Sequence, residues 1–331
     1  MPKYSVITPV YNRPDEVREL LESLVNQSFK DFEVIIIEDG SKLKCDKVCE
    51  EFNSQLDIKY YYKENSGQGF SRNYGFERAT SDYFIQLDSD AIIPARYFEI
   101  VNNYLAKNWL DAFGGRDEAH PNFTPTQKAI NYSMTSVFTT GGIRGKKKNA
   151  GGQFHPRSFN FGISRKVWKV TKGYKWTRMA EDIEFSVRII EAGFKVGLID
   201  EAFIYHKRRT DFGQFFKQLH FFGRGRINLS RHFKNELKLV HFFPAAFTLF
   251  CISIPLQFLI FKPLGFLSVI LLAIYKVLIF TDSTLKNSSI YVGFLSIIAC
   301  FIQLSGYGFG FMQEIISPNP VIQNEGKTKG R

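Results

Sequence analysis

The chain has 331 residues, a formal net charge of +11 and 44% apolar residues, enough for one large domain or two small ones. Its four cysteines, Cys45, Cys49, Cys251 and Cys300, argue against a disulfide scaffold and for a reducing compartment, and no Cys/His set completes a zinc site beside Cys45 and Cys49. The basic excess points to phosphates as partners, on nucleotides, nucleic acid or lipid headgroups, without choosing among them.

Tyr4–Val10 (YSVITPV) predicts a β-branched strand that starts almost at once, so no signal peptide is expected. Tyr11-Asn12-Arg13 forms the loop after it, and Pro14 suits the first turn of a helix. Val17, Leu20, Leu21, Leu24 and Val25 then recur at helical spacing. A buried strand at 32–37 ends on Glu38-Asp39-Gly40-Ser41, and a third strand is expected at 58–62. The loop Asn65-Ser66-Gly67-Gln68-Gly69 leads into a helix at 70–79. The strand Tyr83–Leu87 follows and ends on Asp88-Ser89-Asp90. Short apolar strands alternating with helices predict an α/β fold with a mostly parallel sheet covered on both faces.

Two carboxylates spaced as Asp88 and Asp90 at a strand's carboxyl end can both reach one hard cation, which takes oxygen ligands and keeps positions open for phosphate. Ligands of open α/β sheets lie at that edge, where the ends of the first two strands also open. The competing reading of the pair is an acidic turn capping the next helix.

The stretch 94–205 is mixed. Gly141–Gly152 is glycine-rich and basic and reads as a mobile loop, followed by a strand at 154–163. Ala180-Glu181-Asp182 opens an amphipathic helix that Gly193 ends. Its acidic first turn is also what a helix dipole favours without any chemistry. Strands near 195–199 and 202–206 lead to His206.

From 206 to 238 the chain is basic and rich in Phe, with Lys207, Arg208, Arg209, Lys217, Arg224, Arg226, Arg231, Lys234 and Lys238. This predicts a helix on an anionic bilayer surface. Single-stranded nucleic acid would suit the same composition, but the apolar runs that follow argue against it. Residues 239–261 and 287–313 carry no formal charge and are long enough to cross a bilayer, while 263–280 is broken only by Lys276, which must snorkel or face protein. The sequence leaves two or three crossings open. Three would put the tail, with Lys327, Lys329 and Arg331, outside, against the positive-inside tendency. The expected division is 1–205 catalytic, 206–238 juxtamembrane, 239–313 membrane and 314–331 tail, with the amino-terminal part facing the cytoplasm.

Four features in order, SVITPVYNR, EDGS at 38–41, NSGQGFSRNYG leading to LDSD, and AEDIEFSVRIIEAG at 180–193, resemble the family 2 glycosyltransferases of GT-A fold over roughly 3–235. The resemblance implies a Rossmann-like nucleotide-sugar-binding sheet followed by transmembrane helices. It also implies inverting, hexosyltransferase-type transfer of a sugar from a nucleotide diphosphate to an acceptor hydroxyl. Asp39 then matches the position that bonds the base, with Pro9 and Tyr11 lining its pocket and Arg72, in R-N-x-G, near the nucleotide. Asp90, assisted by Asp88, would hold Mg²⁺ or Mn²⁺ on the diphosphate. Asp182 matches the general base, with Glu181 supporting it. His206 falls where some members place a further metal ligand or phosphate contact, and its alternative is a satisfied histidine at a strand end.

The region QFFKQLHFFGRGR lacks the Q-x-x-R-W of processive synthases, which argues for single-sugar transfer. The layout resembles bacterial enzymes of the cytoplasmic membrane that build lipid-linked or cell-surface glycans. A nicotinamide-type dinucleotide site is excluded, because Arg72 stands where the third glycine of G-x-G-x-x-G belongs and the first strand leads into YNRP. An inactive or binding-only membrane homologue is the remaining alternative.

Overall fold

A computed structural model of the protein describes residues 1–140 and 154–318. The basic glycine-rich stretch 141–152 and the tail lysines fall outside these residues. The described chain divides into two compact units, one built from 1–118 and 154–207, the other from 119–140 and 208–318. The sequence groups all of 1–205 together, whereas 119–140 clusters with the carboxyl-terminal helices.

In chain order the first unit contains β1 (Tyr4–Val10), α1 (Pro14–Val25), β2 (Phe32–Asp39), α2 (Asp46–Phe52), β3 (Ile58–Lys63), α3 (Gln68–Arg78), β4 (Tyr83–Leu87), β5 (Ala91–Ile92), α4 (Tyr97–Lys107), β6 (Ala112–Gly114) and β7 (Asp117–Glu118). The chain enters the second unit for α5 (Pro125–Thr135) and α6 (Val137–Thr140). It returns for β8 (Asn160–Ser164), α7 (Arg165–Thr171), α8 (Glu181–Glu191), β9 (Val196–Leu198) and β10 (Ile204–His206).

Seven strands form one sheet in the order β3-β2-β1-β4-β8-β6-β9. β1, β2, β3 and β4 pair in parallel, and β8 runs antiparallel between β4 and β6. The strand expected over 154–163 is therefore shorter, and it breaks the parallel run. Side chains alternate across the sheet as strand geometry demands. Val6, Val34, Ile36 and Ile85 join the core with α1 and α4, while Ile7, Ile35, Ile37 and Phe84 join the core with α3, α7 and α8. Strand order reverses at β1, so the carboxyl ends of β1, β2 and β4 open on one crevice, where such sheets bind ligands.

A second, three-stranded sheet, β5-β10-β7, is made of very short pairings. β10 runs antiparallel to β5 with His206 opposite Ala91. That register places His206 beside the residues just after β4.

The second unit continues with α9 (Phe212–His232), α10 (Phe243–Ile260), α11 (Lys262–Asn287) and α12 (Ile290–Ile316). Three stretches, Leu239–Ile260, Lys262–Asn287 and Ile290–Ile316, are helices long and apolar enough to cross a membrane. The second of them, interrupted by Lys276, is a single helix, and the Lys276 ammonium lies 5.4 Å from the Phe301 ring centroid, a cation–π contact with α12. α9 carries Lys217, Arg224, Arg226 and Arg231, and its Phe215, Leu219, Gly223 and Ile227 are buried. At Gly223 an added Cβ would meet the Tyr307 carbonyl at 2.1 Å, so only glycine lets α9 lie so close to α12. Fully buried Glu314 accepts from Arg224 and Arg231, each at 2.8 Å. Removing one partner of such a buried set leaves an uncompensated charge, typically costing about 3–5 kcal/mol.

Candidate active site

Three loops converge at the carboxyl edge of the main sheet. The loop after β1 holds Asn12 in the left-handed region at φ +54°, a conformation Asn adopts more readily than most residues. The Asn12 backbone N–H donates to Ser41 Oγ at 2.7 Å, and its side-chain oxygen accepts from the Lys42 and Leu43 amides at 2.8 and 3.0 Å. This clamp ties the first loop to the second. Arg13, next in the chain, donates from Nη1 to Asp90 Oδ2 at 2.7 Å.

Pro9 is half-buried and Tyr11 is 54% exposed at the mouth of this edge. Asp39 is buried, and its carboxylate accepts from the Ser66 and Gly67 amides, both at 2.9 Å, and from Lys63. Gly67 reaches it with φ +87°, and a Cβ there would collide with Thr177 Oγ1 at 2.4 Å. Asp39 thus organises the 64–67 loop and the contact of that loop with the approach to α8. Glu38 is turned inward, accepting from the Cys45 amide at 2.8 Å and from Ser41.

After β4, Asp88, Asp90 and His206 come together, with one ligand atom of each lying within 4.8 Å of the others. His206 Nε2 is 3.0 Å from Asp90 Oδ1 and 3.9 Å from Asp88 Oδ2. The imidazole stacks on Phe159 at 5.1 Å, and its buried Nδ1 has no hydrogen-bond partner among the described residues. Burial tends to raise the Asp90 pKa, but the charges of His206 and Arg13 outweigh it and hold the carboxyl well below the usual carboxylate range. The donor set fits a divalent cation: two carboxylate oxygens suit Mg²⁺ or Mn²⁺, with an imidazole nitrogen as third ligand. His206 ends β10 and meets Asp90 through Nε2, so both readings of it, ligand and strand-end partner, fall on the same contact.

Arg72, expected near the nucleotide, lies inside the protein. It is fully buried, because it lies on the face of α3 turned to the sheet. Its Nη2 donates to Asp88 Oδ1 at 2.7 Å, its Nη1 is 3.6 Å from Glu181 Oε1, and its guanidinium lies 5.6 Å from the Tyr174 ring centroid.

α8 begins after two consecutive non-glycine residues in the left-handed region, Met179 at φ +58° and Ala180 at φ +63°. Each costs roughly 1–2 kcal/mol, a strain held in place by the surrounding fold. Glu181 is buried and accepts from Gln68. Burial, then repulsion from Asp182, pushes its pKa up to about 7 against the pull of Arg72. Asp182 points the other way. Its Oδ1 accepts from the Ile183 amide at 2.8 Å, and its Oδ2 is 3.8 Å from Arg157 Nη1. A carboxylate beside solvent and a guanidinium can take a proton from an incoming hydroxyl, whereas one enclosed by Gln68 and Arg72 is screened from it.

Sequence reasoning missed Arg13 and Arg157. Both reach their acidic partners across long sequence gaps, and only the YNR loop held a hint, in an Arg following a turn-prone Asn.

The fold has known counterparts. Among curated proteins, the minor teichoic acid biosynthesis protein GgaB of Bacillus subtilis is 28% identical over 214 residues, covering 63% of this chain and 23% of GgaB. The glycosyltransferase GlyA of Streptococcus pneumoniae is 36% identical over 111 residues, 33% of this chain and 16% of GlyA. An uncharacterized glycosyltransferase of Rickettsia typhi is 36% identical over 106 residues, 32% of this chain and 33% of that protein. The chain thus spans a third or less of the length of these relatives. Among solved structures, the mannosyltransferase PcManGT of Pyrobaculum calidifontis, in complex with GDP-Man and Mn²⁺, shares the fold with a TM-score of 0.60 at 14% identity, over 96% of this chain and 88% of that one. The family model described as glycosyl transferase family 2 matches residues 5–170, half of the sequence, and the chain belongs to that family.

Proposed function

We propose that the protein transfers a single sugar, with inversion, from a nucleotide-diphosphate sugar to a hydroxyl of a lipid-linked or cell-surface glycan. The observation that carries this reading is the convergence of Asp88, Asp90 and His206 at the carboxyl edge of a nucleotide-type sheet. Those three residues would hold Mg²⁺ or Mn²⁺, which when bound neutralises the leaving diphosphate as a Lewis acid. Pro9, Tyr11 and the Asp39 loop frame the base. Asp182 takes the proton of the acceptor hydroxyl as the hydroxyl oxygen bonds to the anomeric carbon and the bond to the diphosphate breaks. Arg157 lies beside Asp182 and orients it, and Glu181 supports the start of α8.

In this reading the apolar helices anchor the chain in the cytoplasmic membrane with the catalytic unit on the cytoplasmic side, and the positive charges from Lys207 to Lys238, just before α10, support that orientation. The part that GgaB takes in minor teichoic acid biosynthesis supports a cell-envelope acceptor. A screen of UDP-, GDP- and dTDP-sugars against the detergent-solubilised protein, read as release of nucleoside diphosphate with added divalent metal, tests the reading. Release from one donor class supports it, and silence across all of them removes it.

A further inference from the structure

Two acidic groups with separate tasks meet on one buried cation. Asp88 belongs to the loop after β4, and Glu181 opens α8, far away in sequence. Arg72 lies between them with no exposed surface, its Nη2 at 2.7 Å from Asp88 and its Nη1 at 3.6 Å from Glu181. Among the described residues its Nε and Nη1 have no hydrogen-bond partner, and the two carboxylates and the Tyr174 ring are what face this charge. Gln68, on the same helix as Arg72, donates to the same Glu181 oxygen that Arg72 approaches, Oε1.

We propose that Arg72 is a positioning residue that fixes the metal-binding loop and the start of the base helix in one geometry, so that a change at Glu181 is felt at the Asp88 site. The proposal rests on the functional reading above and adds the coupling to it. Three physical points support it. The guanidinium donates to Asp88 from Nη2 while its Nη1 side faces Glu181 at ion-pair distance, a spread of charge over a planar fork that a lysine ammonium on a flexible stem does not reproduce. Binding of Arg72 to Asp88 Oδ1 leaves Oδ2 turned toward His206 and Asp90, which is the oxygen a cation would use. A residue without exposed surface does not touch a donor directly, so its loss acts through the groups it holds.

Partners of metal ligands typically alter metal affinity by about 10–100-fold when replaced. The test uses the full chain in detergent and Mn²⁺ as probe, with free Mn²⁺ followed by electron paramagnetic resonance in the absence of donor. Turnover and donor KM are measured in parallel. R72K keeps the charge but loses the fork. It should weaken Mn²⁺ binding by about tenfold or more and lower kcat, with donor KM within about twofold. E181Q touches no metal ligand, yet should weaken Mn²⁺ binding by about threefold or more, the size of effect seen between coupled neighbours. The double variant should bind Mn²⁺ no worse than R72K alone, because both changes break the same bridge.

Unchanged Mn²⁺ affinity in E181Q, or losses that simply multiply in the double variant, would overturn the coupling. A raised donor KM in R72K with kcat and Mn²⁺ affinity intact would instead make Arg72 a nucleotide contact. Should R72K fail to fold, the E181Q measurement decides alone. Should the wild type use no sugar nucleotide, the functional reading falls, and the Mn²⁺ cycle still decides whether the bridge exists.

Discussion

Arg13 Nη1 donates to Asp90 Oδ2 at 2.7 Å, joining the loop after the first strand to the aspartate that the cation site depends on. In the metal-free protein this ion pair and His206 stabilise the Asp90 carboxylate against its burial. A carboxyl whose pKa is lowered on folding contributes stability above its ordinary pKa, near 3.9, and loses it as pH falls through the folded value. R13Q should therefore be less stable than wild type at neutral pH in excess chelator. The gap should close as pH falls to about 3 and below. Denaturation midpoints across that range check this, and a gap that widens toward acid would contradict it.

Asp182 rather than Glu181 should be the base. Adjacent helical residues point about 100° apart, and here Glu181 is enclosed by Gln68 and Arg72 while Asp182 faces Arg157. Loss of a well-placed base typically costs about 10²–10⁴-fold in rate. D182N should lose turnover on that order with donor affinity nearly unchanged, and E181Q should lose less. Steady-state kinetics with donor binding for both variants decide the matter. A larger kcat loss in E181Q would reverse the assignment.

Much of this arrangement was legible in the residues. β1 and β4 have the bounds that β-branched and aromatic runs predict, and β2 and α8 differ from expectation only at their ends. Asp88, Asp90 and His206, chosen from a strand-end pattern and a resemblance, do meet. What the sequence hid is mostly what depends on short or distant pairing. β5, β7 and β10 are too short to show a period, yet their register brings His206 to Asp90. β8 runs antiparallel although its composition matches its parallel neighbours. The burial of Arg72 follows from which face of α3 meets the sheet, and its motif alone suggested a ligand contact. The basic segment 206–238 predicts a surface helix, whereas Gly223 against Tyr307 and the pairing of Arg224 and Arg231 with Glu314 pack part of α9, two of its arginines included, on α12.

Glu181 gives a second pH signature of opposite sign. Its pKa is raised to about 7 by burial and by Asp182. A raised carboxyl pKa contributes stability below the unfolded value, near 4.3, that is lost as pH rises through the folded value. Wild-type stability in chelator should therefore fall, relative to E181Q, between about pH 5 and pH 8. Thermal unfolding of both proteins over that range measures it. Parallel curves would show that Glu181 keeps one protonation state throughout.

Lys217, Lys234 and Lys238 are exposed around α9 and ahead of α10. If they face anionic headgroups, the protein should melt at a higher temperature in nanodiscs containing anionic lipid than in neutral ones. Salt should erase the difference, since surface charge is screened within about 8 Å at physiological ionic strength. Replacing the three lysines with Gln should shrink it as well. Equal melting in both lipids at low salt would remove the electrostatic contribution.

The central claim is that Asp90 serves a metal-assisted transfer from a sugar nucleotide. Its most direct test compares wild type and D90A for nucleoside diphosphate release, with Mn²⁺ or Mg²⁺ and with excess chelator, after confirming that both proteins fold. The account predicts release by wild type with metal, none in chelator and none by D90A. Full release by D90A, or by wild type in chelator, would contradict it.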